Sequence, residues 1–235
     1  MRPLLAITHL ADRALGLAEG VLALRDIPLR RTHLDGDRPR LDDVGGLLVL
    51  GGAMGVPDAD AYPFLRWELE LLTQALADEV PVLGLCLGGQ LLARAAGGRV
   101  ERMAEPFIGW PRLTRFAAAA EDALFGGLPP EVKVLEWHND SIEPPPGAVV
   151  LAETGGPGCS IFRAGPAAWG SQIHLELTPA MLARWLDDDD LARDLAAAGV
   201  DPAELVAESP RRLAAQNRVA ETVFERFADV LLARR

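Results

Sequence analysis

The chain predicts an α/β fold: a three-layer, mostly parallel sheet flanked by helices, with a short antiparallel extension. Three observations predict it. The first half alternates apolar runs of strand length with segments of helical spacing, the rhythm of parallel βαβ units. The stretch VPVLGLCLGGQLLARAAGG joins an apolar run, a glycine-crowded turn and a helical segment without a break. The second half changes to short β candidates separated by the turns GGLPP, EPPPG, TGGPG and AGP.

Taken in order, Leu4 to Thr8 reads as a first core strand and Asp12 to Leu24 as a helix. Ile27 to Thr32 reads as an edge or second strand. Val44 to Leu50, VGGLLVL, is a buried strand ending at Gly51–Gly52. Tyr62 to Ala77 is helical, because Leu65, Leu69, Leu72 and Leu76 recur at three- and four-residue steps. Pro81 to Leu85 is the next buried strand and Gln90 to Ala96 its helix, closed by Gly97 and Gly98. The short β candidates are Arg99 to Arg102, Pro111 to Phe116, Val132 to His138, Ala148 to Ala152, Cys159 to Arg163 and Ala168 to Ile173. Pro179 suits the first turn of a helix running to Leu186. The run Asp187 to Asp190 reads as a solvated loop between helices rather than a metal site, since consecutive side chains point in different directions. Val219, Val223, Phe227 and Leu231 then form the packing stripe of a C-terminal helix.

At 235 residues, 49% of them hydrophobic, one domain with a large core is expected, residues 1–235, with C-terminal helices from about 188 to 235 packed on it. No apolar run approaches a membrane span. The start, MRPLLAITHL, lacks the longer apolar region and cleavage site of a signal peptide. Cys86 and Cys159 make no disulfide framework, so a reducing cytoplasm is the expected compartment. The formal charge of −11 argues against nucleic acid as the main partner, because phosphate binding needs clustered Lys and Arg.

Chemistry concentrates at Cys86. A strand, a sharp turn flanked by Gly84, Gly88 and Gly89, and a helix behind the sulfur match the nucleophile elbow of G-x-S-x-G hydrolases, with Cys replacing Ser. The helix N-terminus offers unpaired N–H groups and partial positive charge that favour a thiolate. A buried structural cysteine at a strand end is the alternative. A cysteine nucleophile needs a base, and the base needs an orienting group. His9 follows the first strand, His33 lies in a polar, arginine-rich loop, His138 lies in EWHND and His174 in QIHLEL. His174 stands out because Glu176 follows two residues on, and in an extended chain the two point the same way. Taken alone, that pair also fits metal ligands or a polar strand end.

The ordered set GLCLGGQ, the preceding GG and QIHLE resembles the class I, triad-type glutamine amidotransferases. GGAMGVPD resembles that family's oxyanion strand, IGWPRL its strand after the elbow, and WHND the H-x-D of stand-alone members. IFRAG precedes the final strand, and the likeness runs on through TPAMLARWL. The nearest resemblance is to the stand-alone group related to the amidotransferase domain of GMP synthase, which implies a flavodoxin-like three-layer fold. It further implies Cys86 as nucleophile, His174 as base and acid, and Glu176 as its orienter. The oxyanion hole would be the N–H groups of Gly52 and Leu87, with Gln90, His138 and Asp140 toward the substrate.

Three positions depart from the family pattern. Gly89 stands where His is common and is expected to leave a wider space behind the nucleophile; Leu175 stands where Pro is common and is expected to loosen the backbone between His and Glu; Ser160 stands where many stand-alone relatives have Gln. The activity implied is hydrolysis of the side-chain amide of glutamine, or of a γ-glutamyl amide, through a Cys thioester, with no metal or organic cofactor. Because no synthetase segment or nucleotide-binding glycine loop is seen, the ammonia would pass to a separate synthetase chain. The alternatives are a stand-alone γ-glutamyl hydrolase or peptidase and a non-catalytic binding protein.

Overall fold

The computed structural model describes residues 2–10, 13–34 and 36–234, with the backbone alone at Asp190. In chain order the strands are β1 (Leu4–Thr8), β2 (Leu29–His33), β3 (Gly46–Val49), β4 (Val82–Leu85), β5 (Arg99–Gly109), β6 (Arg112–Arg115), β7 (Glu131–Lys133), β8 (Glu136–Glu143), β9 (Val149–Glu153), β10 (Ile161–Ala164) and β11 (Ala168–Ser171). The helices are α1 (Leu17–Leu24), α2 (Phe64–Ala77), α3 (Leu87–Ala95), α4 (Pro179–Leu186), α5 (Asp189–Ala197) and α6 (Pro202–Ala233).

The main sheet runs β2-β1-β3-β4-β11-β10-β9-β6-β7. Strands β2, β1, β3, β4 and β11 are parallel, and the remainder are antiparallel. Alternation along the buried strands explains the three layers. Leu4 and Ala6 of β1 pack with Leu22 and with Phe224 and Phe227 of α6 on one face. Leu5 and Ile7 pack with Leu65 and Leu72 of α2 and Leu91 of α3 on the other. A separate β5-β8 ribbon stands beyond the main sheet. Its Ile108 and Trp137 share a third apolar cluster with Trp185 of α4, Leu195 of α5 and Leu205 of α6. The parallel strands end together: Ile7 pairs with Val49, and Leu85 with Ser171. The segments beginning at His9, Leu50, Cys86 and Gln172 therefore converge at one edge of the sheet, where α/β folds build sites.

The differences from the sequence reading have local causes. Helix α1 begins only at Leu17, whose N–H donates to the carbonyl of Glu176 at 2.9 Å; Asp12 lies outside the described residues. The segment expected as Arg99 to Arg102 extends through Gly109, since its partner β8 pairs with it across a register shift between Arg102 and Phe107. Its side chains, a mixture of exposed and half-buried apart from Ile108, carried no apolar alternation. The single strand expected over Val132 to His138 is two, β7 in the main sheet and β8 in the ribbon. Between them the Val134 N–H bonds Pro111, and the Leu135 N–H is taken by the Gln216 side chain at 2.7 Å. The run of aspartates is not merely a loop: Asp187 caps the end of α4, the Asp188 carboxylate accepts from the Leu191 N–H at 3.3 Å, and α5 has begun by Asp189.

Candidate active site

Cys86 occupies the residue between β4 and α3 with φ 50° and ψ −110°, a backbone conformation that strains any residue with a Cβ. Such strain costs on the order of 1–3 kcal/mol and persists only where the surroundings over-determine it. Here its N–H donates to Ser171 at 2.7 Å, while its carbonyl already accepts from Gln90 at 2.9 Å in the first turn of α3. The turn also needs close backbone approach: a Cβ on Gly88 would fall 2.1 Å from the Val49 carbonyl oxygen. The sulfur therefore sits at the N-terminus of α3, where unpaired N–H groups and the helix dipole favour negative charge.

The sequence expectation for Gly89 is corrected. There is no wider space behind Cys86, because a Cβ on Gly89 would lie 2.6 Å from the Ser171 carbonyl oxygen. The residue lets α3 sit directly on the end of β11. Leu175 does not loosen the backbone either: its side chain is buried in the core, and its N–H donates to Ile173 at 3.1 Å.

His174 and Glu176 meet as expected, with His174 Nδ1 2.8 Å from Glu176 Oε1. The local reason differs from strand alternation. Strand β11 stops at Ser171, and the two residues lie in a turn closed by the Leu177 N–H on the His174 carbonyl at 3.3 Å. The Gln216 amide of α6 also donates to that carbonyl, at 2.8 Å. The imidazole is fixed edge-on against Trp185, ring centres 4.7 Å apart. Its Nε2 faces the Trp137 carbonyl oxygen at 3.3 Å, and that same oxygen accepts from Cys86 Sγ at 3.7 Å. The Trp137 carbonyl thus bridges the Cys86 sulfur and the His174 imidazole. Burial alone would lower the pKa of His174; the Cys86 sulfur and the Glu176 carboxylate outweigh it and hold the pKa well above the ordinary histidine range. The His174 ring is thereby set to carry a proton beside the Cys86 sulfur.

Beside the sulfur lies a cleft walled by Gly51, Gly52, Gln90, Trp137 and His174. Gly52 and Leu87 are neighbours, since a Cβ on Gly52 would lie 3.0 Å from a Leu87 methyl. Gln90 is buried, and its amide nitrogen is 3.4 Å from both the Asp140 carbonyl and Gln172 Oε1. His138 turns Nδ1 to the Asp140 carbonyl at 2.9 Å, with Nε2 3.7 Å from Glu136. The Asp140 carboxylate is held by Arg102, which also pairs with Asp58 at 2.8 Å. All three polar residues named from sequence line or back the cleft, but Asp140 reaches it already neutralised. Ser160 is buried behind Gln172, its carbonyl accepting the Gln172 N–H at 2.8 Å.

Sequence reasoning missed Gln172, whose amide nitrogen lies 3.7 Å from Cys86 Sγ, and the Trp137 carbonyl. A backbone oxygen leaves no signal in sequence. Gln172 had one, its place two residues before His174. Among the described residues no group of His, Cys, Asp and Glu is arranged to hold a metal ion.

Comparison with known proteins accords with this geometry. The glutamine amidotransferase class-I family profile matches residues 22–188. The chain belongs to that family. It is 38% identical to GMP synthase (glutamine-hydrolyzing) of Thermus thermophilus over 161 residues, 66% of this chain but only 30% of that protein. It is 34% identical to a glutamine-hydrolyzing GMP synthase subunit of Natronomonas pharaonis over 137 residues, 58% of this chain and 62% of that relative. The crystal structure of a glutamine amidotransferase from Methylobacillus flagellatus superimposes with a TM-score of 0.85 at 30% identity, covering 97% of this chain and 95% of that one. The profile match ends at residue 188, and α5 begins at Asp189, so the cleft-lining residues Leu191 and Asp194 come from outside the matched segment. Asp194 accepts a hydrogen bond from Asn139 at 3.2 Å.

The second cysteine is chemically distinct. Burial, reinforced by Glu153, pushes the Cys159 thiol up to about 12. Iodoacetamide at about neutral pH should therefore carboxamidomethylate Cys86 alone in the native protein, since the thiolate is the nucleophile. Peptide mass mapping checks this; first labelling at Cys159 would contradict the assignment of the reactive thiol.

Proposed function

We propose that this chain hydrolyses the side-chain amide of glutamine through a γ-glutamyl thioester on Cys86. The observation that carries the reading is a cysteine in a strained elbow at a helix N-terminus, facing an imidazole braced by a buried carboxylate. The Cys86 thiolate attacks the amide carbon, and the C=O electrons move onto oxygen. The N–H groups of Gly52 and Leu87 donate hydrogen bonds to that oxyanion. The C–N bond breaks as the His174 imidazolium gives its proton to the leaving nitrogen, releasing ammonia and leaving the thioester. Neutral His174 then removes a proton from water, hydroxide adds to the thioester, and glutamate departs with return of the thiolate. Glu176 holds the ring in one orientation and stabilises its charged form throughout. Gln90 and His138, on the cleft wall, are assigned to the substrate, and Asp140 to holding that wall through Arg102. The protein is read as one domain, with α5 and α6 as its packed C-terminal part.

The relative from Natronomonas is by name one subunit of its synthase, which supports delivery of the ammonia to an acceptor on a separate synthetase chain. A second reading, a stand-alone γ-glutamyl hydrolase, is favoured by Asp194. Its carboxylate on the cleft wall suits a leaving group that carries an amine. A panel of glutamine and γ-glutamyl amines, scored by glutamate released, separates the two. Glutamine is expected to have the highest kcat/KM; faster release from γ-glutamyl amines would transfer the assignment to the hydrolase. No glutamate from any of them would sink both.

A further inference from the structure

Behind the cleft, His9 and Glu68 form a buried ionisable pair that the chemistry above does not use. His9 follows β1, and Glu68 lies mid-way along the buried face of α2; both are buried, at 4% and 1% exposure. His9 Nε2 lies 3.0 and 3.2 Å from the two Glu68 oxygens, while Nδ1 lies 3.2 Å from the carbonyl oxygen of Gly51. The ring stacks on Phe64, centres 5.8 Å apart. His9 and its partners stand immediately behind the oxyanion loop: a Cβ on Gly52 would fall 2.7 Å from His9 Cβ. On the other side of the loop, a Cβ on Gly51 would fall 2.9 Å from His174 Cε1 and 3.4 Å from Cys86 Cβ.

Both ring nitrogens of His9 face oxygen atoms. Beside an ionised Glu68, a neutral ring would set the Nδ1 lone pair against the Gly51 oxygen in one tautomer and the Nε2 lone pair against the carboxylate in the other, two acceptors in contact either way. The pair escapes this only by holding one further proton, either on the ring, so that both nitrogens donate, or on Glu68, which then donates to Nε2. In both cases Nδ1–H donates to Gly51. A carboxylate in the apolar stripe of α2 is costly to bury alone, and here it serves to set the proton on the far side of the ring.

That bond acts on one peptide unit. The Gly51 carbonyl and the Gly52 N–H belong to the same planar group and point in opposite directions. Anchoring the carbonyl to His9 turns the N–H away from His9, toward the side of the loop on which Cys86 and His174 lie. Accepting a hydrogen bond at oxygen also makes the N–H a better donor. We infer that His9 and Glu68 form a brace that aims and polarises the Gly52 N–H at the oxyanion of amide cleavage. They are positioning residues, and His9 precedes the segment matched by the family profile. The inference rests on the reading that Cys86 cleaves an amide.

Two reactions of Cys86 separate the brace from general damage. Acylation by a γ-glutamyl p-nitroanilide passes through an oxyanion; alkylation by iodoacetamide, a displacement at saturated carbon, does not. His9→Ala is expected to lower kcat for the anilide on the order of 100-fold, the scale of a lost oxyanion donor, with KM and the alkylation rate within about threefold. His9→Asn, whose amide nitrogen can take the place of Nδ1, is expected to recover most of that loss. Equal slowing of both reactions, an unchanged kcat in His9→Ala, or no recovery in His9→Asn with a native thermal melt would each overturn the brace. Wild-type protein that is alkylated at Cys86 yet never acylated would overturn amide cleavage, and the brace with it.

Discussion

Cys86→Ala is expected to abolish glutamate release from glutamine, a loss on the order of 10⁴-fold or more, because among the described residues lining the cleft Cys86 carries the only thiol and no hydroxyl side chain stands beside it. Gln172 and the Trp137 carbonyl, which flank the sulfur, are neither acid nor nucleophile under these conditions. The loss is chemical and not a failure to fold: alanine keeps the Cβ, so the strain at φ 50° remains as it was. The variant carries a second signature. The Cys86 sulfur is the foremost influence raising the His174 pKa against the effect of burial. Removing it leaves only Glu176 to oppose desolvation, so the imidazole should titrate at lower pH than in the wild type. NMR of the His174 ring across pH reads this directly. An unshifted ring would contradict a thiolate–imidazolium pair even if activity were lost.

Glu176→Gln is expected to lower kcat by about 10³- to 10⁴-fold while leaving the fold intact, the scale seen when a triad acid becomes its amide. Glutamine is nearly isosteric with glutamate, and Glu176 Oε2 has no hydrogen-bond partner among the described residues to lose. The melting temperature should move by only a few degrees, the equivalent of about 1 kcal/mol in a chain of this size. What changes is charge. The carboxylate at 2.8 Å helps keep a proton on a buried ring. The general acid is the imidazolium, present below its pKa, and a raised pKa carries leaving-group protonation through the ordinary histidine range near ~6.5. Wild-type activity should therefore fall only at higher pH, and in Glu176→Gln that alkaline limb should move to lower pH. A pH–rate profile for kcat checks this; a limb that stays in place would mean that Glu176 positions the ring without stabilising its charge.

Much of this was legible along the chain. The elbow could be read at Cys86 because its requirements are local: a buried strand, a turn lined by small residues and a helix start, all within a few positions. Helix α4 was legible because Pro179 marks its first turn; the structure adds the Thr178 hydroxyl, which accepts the Met181 N–H at 3.2 Å. Strand β5 was not, since its pattern of exposure comes from pairing with β8 across a register shift and not from its own alternation. His174–Glu176 was found for a reason that proved incomplete: spacing brought the two together, but in a turn tied down by Gln216 of the last helix rather than in a strand.

The sequence by itself determined the three-layer α/β class, the turn at Cys86 and the His174–Glu176 pair, because each depends on periodicity or on neighbours a few residues apart; the roles proposed for those three residues came from the family resemblance. Only the tertiary structure decided how the remaining groups act. Gly89 proved to be a contact rather than a space because β11, more than eighty residues later, lies against it. The Asp140 carboxylate was committed to Arg102, the Trp137 carbonyl was set between sulfur and imidazole, and His9 was turned from a candidate base into the partner of Glu68. These depend on directions and distances between elements that converge only when parallel strands end at a common edge, and no local pattern in the chain encodes them.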